Sequence, residues 1–388
     1  MALCELAATR GEAADDGRSI ERSIALDPWD AKLRDDLGQY YAFIEQKPEL
    51  AITSYQAAVK KNPHVADYWL DLGNAYFAVG ETAKQNEVLR RAMAADPNSP
   101  QITRQVANAY FMGGNNRAAL EMYKKVLAES PWDYESTLQI CWQATHDLSV
   151  MSEILPAKPD AHLAFLKILT EEGRVEEAEM MWPKLMGLQK HFEAATAGPY
   201  IEYLIQGNEI EAAHAAWQDL GRVDANFRRY TSSSDGLVVN GEFEQKVTNM
   251  GFDWRLGPSP HVTITVDAEQ AHNGTRSLAL TFDGEAVADT GLSQLIAVEA
   301  NTAYTFNAFV KDDLFTARGP QFVIREAGSK ATLMRSQELL GSADWTEVRG
   351  EFKTGPTSKL LALRMLREPG VERIKGRLWV DDVSVRRE

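Results

Sequence analysis

The sequence predicts a multidomain chain that is α first and β after: an N-terminal α-α superhelix of stacked helix pairs, then a C-terminal antiparallel β-sandwich. Three observations carry this expectation. Asp-Pro, Asn-Pro or Ser-Pro pairs recur at Pro28, Pro63, Pro97 and Pro131, a spacing of 35, 34 and 34 residues. The tract Thr231-Ser232-Ser233-Ser234-Asp235-Gly236 is short and polar, as a linker is. Beyond it the apolar pattern changes from helical period to alternation at strand length. The expected division is residues 1–230 as the helical part, 231–236 as the linker and 237–388 as the sandwich.

The residues between the prolines define the repeat. After Pro63 come Trp69, Leu72, Gly73, Tyr76, Gly80, Leu89, Ala92 and Pro97; after Pro97 come Val106, Ala107, Tyr110, Gly114, Ala119, Tyr123, Val126 and Pro131. After Pro28, Leu37, Gly38, Tyr41, Ala51, Tyr55 and Ala58 follow the same order, with one extra residue expected in the turn near Lys47-Pro48. This set at this period resembles the tetratricopeptide repeat (TPR). Small residues at Gly38 and Ala51, at Gly73, and at Ala107 and Ala119 let two helices approach closely. Tyr41, Tyr76 and Tyr110 fill the space beyond, and proline ends each second helix. A lone helix pair leaves an apolar face uncovered, so neighbouring pairs must stack.

Later repeats decay. Thr137, Ile140, Cys141 and Ala144 suit a first helix, but His146 to Pro159 is too short and proline-broken for an ordinary second one. Gly173 with Ala178, Trp182 and Leu185, and Gly207 with Ala212, Ala213 and Trp217, predict two further pairs. In the opening repeat Gly11 and Ser23 take the turn and packing positions. Its first residues are missing, which suggests a ragged start or a chain cut from a longer one.

Strands are expected at 237–244, 262–268, 276–282, 292–298, 303–310, 321–326, 346–352, 359–366 and 376–385, with Asn273-Gly274 as a strong turn signal. Asn240-Gly241-Glu242-Phe243-Glu244 opens this part and Trp379-Val380-Asp381-Asp382-Val383-Ser384-Val385 closes it. With Gly251-Phe252-Asp253-Trp254 and Gly274-Thr275-Arg276-Ser277-Leu278 between them, the segment resembles the jelly-roll carbohydrate-binding modules of families 4, 9 and 22 and their galactose-binding-like relatives. The resemblance implies that the chain ends meet and that a structural Ca²⁺ can join them through Glu244, the backbone near Arg276, and Asp381 or Asp382. The alternative is that these carboxylates are solvated or paired with Arg386 and Arg387. The resemblance also implies aromatic stacking on sugar rings. Phe315, in the loop sequence KDDLFTARGP, and Trp254 are the candidates, against the reading that Trp254 packs the core. Trp345 and Trp379 are weighed the same way. Polysaccharide is therefore one expected partner.

The TPR resemblance implies a concave face that binds a protein partner, lined here by Gln39, Phe43, Asn74, Phe77, Arg104, Asn108, Phe111 and Trp142, with Asp35 at an equivalent position. Asn74, Arg104 and Asn108 resemble part of a carboxylate clamp, in which amides and a guanidinium hold a terminal carboxylate. Leu70 stands where such a clamp has lysine. Phe77, Phe111 and Trp142 would be apolar anchors, unless they pack against the next helix pair.

Formal net charge is −15. Residues 237–388 hold 18 basic and 21 acidic side chains, leaving 23 basic and 35 acidic in the first 236, so the helical part carries most of the charge. An acidic superhelix without a basic stripe argues against nucleic acid. The two cysteines, Cys4 and Cys141, form no metal-ligand spacing and are expected to be buried thiols. No apolar run is long enough to span a membrane. No P-loop, nucleophile elbow or HExxH is present, and paired carboxylates such as Asp312-Asp313 are expected in turns or on solvated faces. The combination predicts a non-enzymatic interaction scaffold that needs no cofactor. The resemblances place it in a bacterial cell-envelope or exopolysaccharide assembly, with glycan binding through the sandwich as the alternative. Modules of this kind usually work outside the cytoplasm; two unpaired cysteines leave the cytoplasm open.

Overall fold

The computed structural model describes residues 16–129, 134–231, 236–329 and 331–388. The helical half is followed by two antiparallel sheets, as expected. Gly11, Cys4, Pro131 and the linker residues Ser232 to Asp235 lie outside the described residues. The chain divides into two compact units, Met1–Phe165 and Leu166–Glu388.

The first unit is built of helix pairs. Its helices are α1 (Asp16–Leu26), α2 (Ala31–Gln39), α3 (Pro48–Lys61), α4 (Ala66–Ala78), α5 (Thr82–Ala95), α6 (Pro100–Met112), α7 (Asn116–Glu129), α8 (Tyr134–Thr145) and α9 (Leu148–Ile154). The turn between paired helices repeats. The Gly80 amide donates to Phe77 O and the Glu81 amide to Tyr76 O; Gly114 and Asn115 do the same to Phe111 and Tyr110. Both glycines are left-handed, at φ 75° and 77°. That backbone satisfies the carbonyls at a helix end, and glycine adopts it without a Cβ clash.

The first pair ends differently. A π turn, Tyr40–Ile44, extends α2, and the Glu45 amide donates to Tyr40 O, five residues back. The extra residue expected near Lys47-Pro48 is thus taken up inside the helix end, because an i→i+5 bond absorbs one insertion.

Within pairs, contact is as close as the small residues allow. A Cβ on Gly38 would lie 2.5 Å from the Tyr55 ring, which is itself buried. Ala51, Tyr55, Val59, Leu72, Ala75, Tyr76 and Val88 form one cluster across successive pairs. Cys141 is a buried free thiol, its ionisation pushed up to about 12 by burial.

The chain continues through α10 (Pro159–Glu171), α11 (Val175–Gly187), α12 (Gly198–Gln206), α13 (Ile210–Val223) and α14 (Arg228–Thr231). Ten strands follow: β1 (Trp254–Leu256), β2 (Val262–Asp267), β3 (Ser277–Ala286), β4 (Asp289–Ala297), β5 (Ala303–Phe315), β6 (Gln321–Glu326), β7 (Thr332–Arg335), β8 (Gly341–Lys353), β9 (Leu360–Leu366) and β10 (Arg373–Arg387). They pair as β1-β4-β9-β6-β7 and β2-β3-β10-β5-β8. Each sheet turns alternate residues inward, and Phe306, Phe322, Leu361, Leu363, Leu378 and Val380 lie in the core shared by the two sheets.

Three expectations need correction. Residues 237–244 are turns and irregular chain, with Asn240 and Phe243 at left-handed φ of 51° and 52°, which interrupts regular strand pairing. The three-residue β1 and four-residue β7 were not expected; each is too short to show a period. Asp312 and Asp313 lie inside β5, Asp312 buried, not in a turn.

In the second unit the helices are fastened to the sheets through residues 249–255. Gly251 is left-handed at φ 54°, and a Cβ there would lie 2.4 Å from the Trp217 ring. Its amide donates to Glu202 at 2.6 Å, and Arg255 donates to both oxygens of that carboxylate at 2.9 and 3.0 Å. Phe252 meets Trp217 and His214 edge-on, and the Tyr230 hydroxyl donates to Lys246 O. Trp217 is fully buried.

Trp217→Ala should cost about 3–5 kcal/mol in urea unfolding, the range for emptying a buried tryptophan site. Gly38→Ala should cost about 1–3 kcal/mol, the range for overpacking. A Gly38→Ala protein as stable as wild type would remove the close-approach account of the repeat.

Candidate functional site

The first helices of three successive pairs, α2, α4 and α6, wall a cavity of about 710 Å³. Asp35 and Gln39 reach it from α2; Tyr68, Leu70, Asp71 and Asn74 from α4; Asn108 and Met112 from α6. The spacing of four residues between Asp35 and Gln39, and of three between Asp71 and Asn74, puts each pair on one helix face.

The structure brings together Gln39, Asn74 and Asn108 of the expected groove residues. Asn108 is partly committed, its Oδ1 accepting the Tyr123 hydroxyl at 2.7 Å. Phe43 and Phe77 are exposed by 62% and 41% but do not line the cavity, and Phe111 is half-buried outside its wall. Arg104 is half-buried and also outside it. Trp142 must be corrected outright. It is fully buried, edge-on to Phe165 with ring centres 5.5 Å apart, and offers no groove surface.

Sequence reasoning gave too little weight to the carboxylates. Asp35 is 5% exposed. Its Oδ2 accepts the Gln39 amide at 3.1 Å, and the same Gln39 nitrogen donates to Asp71 Oδ2 at 3.1 Å. Burial, then the charge of Asp71, pushes the Asp35 carboxyl up to about 7; burial also raises Asp71. The signal was available: aspartate at a position that the repeat turns inward.

In the sandwich the opening and closing motifs do meet. The Leu237 amide donates to Val385 O at 2.8 Å and the Val383 amide to Gly241 O at 2.9 Å. Their carboxylates grip one loop. Glu244 accepts the Thr275 amide and hydroxyl and the Arg276 amide, which lowers its ionisation. Asp381 Oδ2 accepts the amides of His272 and Asn273, yet burial lifts its carboxyl to about 6. Asp382 lies against His272 Nδ1. These oxygens face N–H and O–H donors. A Ca²⁺ takes six to eight oxygens, so holding one here would require Glu244, Asp381 and Asp382 to exchange these donors for the ion. Among the described residues no three His, Cys, Asp or Glu side chains group as metal ligands do.

Of the sugar-stacking candidates, Trp254 is fully buried. It pairs with the inward residue Gln294 and donates to Asn240 O, so its ring is part of the core. Phe315 is 72% exposed at the end of β5. The loop beyond it is pinned by the buried Arg367, which donates to Arg318 O and Thr316 Oγ1. His272, Phe309 and Trp345, distant in sequence, form a ring cluster, with His272 stacked 3.7 Å over Phe309. Trp379 donates to Asp267.

Residues 37–100 match the tetratricopeptide repeat family model, and residues 235–365 match the carbohydrate binding domain family model. Among solved structures, one described as "CBM4 structure and function" is 13% identical, covering 39% of this chain and 99% of its own, with a TM-score of 0.31. A crystal structure of MamA is 20% identical over 46% of this chain and 90% of that one, at 0.30. The CBM22-1 xylan-binding domain from Paenibacillus barcinonensis is 20% identical over 40% and 97%, at 0.26. Among curated proteins none matches the chain. No helix among the described residues is long and apolar enough to cross a membrane.

The Asp35 ionisation has a measurable consequence. Its folded value of about 7 lies above the ordinary 3.8, so the folded state holds a proton that the unfolded state releases. Stability from this group therefore falls as pH rises from about 4 to about 7, by at most about 1.4 kcal/mol per pH unit. Asp35→Asn should gain on wild type as pH rises from 5 to 8 in parallel urea titrations. A constant difference across that range would contradict the raised carboxyl.

Proposed function

We propose that this protein is a non-enzymatic scaffold that holds a protein partner in the concave face of its first repeats. The observation that carries this reading is the cavity walled by α2, α4 and α6, where Gln39, Asn74 and Asn108 come together. Side-chain amides can serve both donors and acceptors of an extended peptide backbone. The repeats and the sandwich are domain types that typically bind rather than catalyse. A bacterial cell-envelope or exopolysaccharide assembly is the setting their combination suggests.

Affinity capture with the full chain tests the reading, using Asn74→Trp to fill the cavity. A partner held by wild type should be lost by Asn74→Trp and kept by Phe315→Ala. Equal capture by wild type and Asn74→Trp would place the binding elsewhere.

A second reading, glycan binding through the sandwich, is favoured by the exposed ring of Phe315 on an Arg367-pinned loop. Affinity electrophoresis of the full chain in soluble xylan examines it. Retardation that disappears in Phe315→Ala supports it, and unretarded migration of wild type counts against it.

A further inference from the structure

The cavity in the first unit is rich in carboxylates. Asp35, Asp36, Asp67 and Asp71 all line it. Lys32 is the cation among its lining residues, and it is already bound to Asp36 at 2.8 Å. One Gln39 nitrogen serves both Asp35 and Asp71. The other oxygen of Asp35, Oδ1, is buried without a hydrogen-bond partner, although the residue is only 5% exposed. An unsatisfied buried carboxylate oxygen costs free energy that a matching donor would recover.

We infer that this cavity receives a lysine or arginine side chain from a segment of the partner protein, its head group donating to Asp35 Oδ1 and shielding Asp71. The inference rests on the concave-face reading above and names the partner's chemistry. It reverses the sign of the carboxylate clamp that Asn74, Arg104 and Asn108 suggested. A cation supplies a donor for the unpartnered Asp35 oxygen together with positive charge, and charge-assisted bonds to carboxylates are the strong ones. The excess of acidic residues in the helical half would also speed the approach of a basic segment.

The pH dependence follows from what surrounds Asp35. Lys32 and Asp36 face it from its own helix, Asp67, Tyr68 and Asp71 from α4, and Tyr55 from α3. Both tyrosines are raised by burial and stay neutral at neutral pH. The carboxyls of Asp35 and Asp71 are the groups raised towards neutrality, so the cavity gains negative charge as pH rises through about 7.

The experiment is selection of peptides by the immobilised full chain from a random displayed library at pH 8, repeated with Asp35→Asn and Asp71→Asn. Near-isosteric amides keep the shape, and circular dichroism checks the fold. Lysine or arginine should be enriched at one peptide position by wild type, and this enrichment should be lost in Asp35→Asn. A selected peptide should bind at least about tenfold more weakly once that lysine is acetylated or that arginine replaced by citrulline, the loss of one charged hydrogen bond. It should also bind more weakly at pH 6. Selected peptides with no cationic position, or enrichment unchanged in both variants, would overturn the inference while leaving the concave-face reading standing. Failure of wild type to enrich any peptide would remove both.

Discussion

The helical half depends on how closely the two helices of a pair can approach. Gly38 against Tyr55 sets that distance in the first pair, and Gly73 against Leu89 sets it in the next. Because the approach is fixed, the following pair stacks in a fixed register, and the first helices of three pairs present equivalent positions to one cavity. Asp35 and Asp71 reach it from α2 and α4, thirty-six residues apart where the repeat offset is thirty-five, so they are neighbouring rather than equivalent positions. Burial, and after it the charge of Asp71, raises the Asp35 carboxyl.

In the sandwich the most recognisable residues do structural work. Glu244 comes from the opening motif and Asp381 from the closing one, and both hold residues 272–276 through backbone amides. A loop tied at two places by carboxylates needs no strand of its own. This explains why the opening motif is conformationally unusual: Asn240 is left-handed, and its side chain bonds Gln245 through both the carbonyl oxygen and the amide nitrogen. The segment from Gly251 to Arg255 has a second task, since it carries the contacts to Trp217 and Glu202 that join α12 and α13 to the sheets.

Much of this was legible in the sequence. The proline period, the small-large pairs and the alternation after the serine tract each report a local rule, and local rules survive in any context. The 321–326 strand agrees at both ends for that reason. What escaped was decided by contacts between distant residues. Trp142 sits at a position that faces the groove in the repeat pattern, yet the packing of Phe165 buries it. Trp254 stands in the sequence as a sugar-stacking candidate with core packing as the alternative, and pairing with Gln294 decides for the core. The 237–244 segment alternates like a strand, and only the left-handed residues within it break the pattern. Asp35 was visible as a lining position. Its significance needed Asp71, thirty-six residues away, to be beside the same glutamine.

These features give the cavity a character set by its carboxylates rather than by apolar anchors. Photo-crosslinking in the full chain is the most direct trial, with a benzophenone amino acid at position 39 in one protein and at position 315 in another. The account predicts a protein adduct from position 39, with the crosslinked peptide containing lysine or arginine, and none from position 315. A protein adduct from position 315 alone would contradict it.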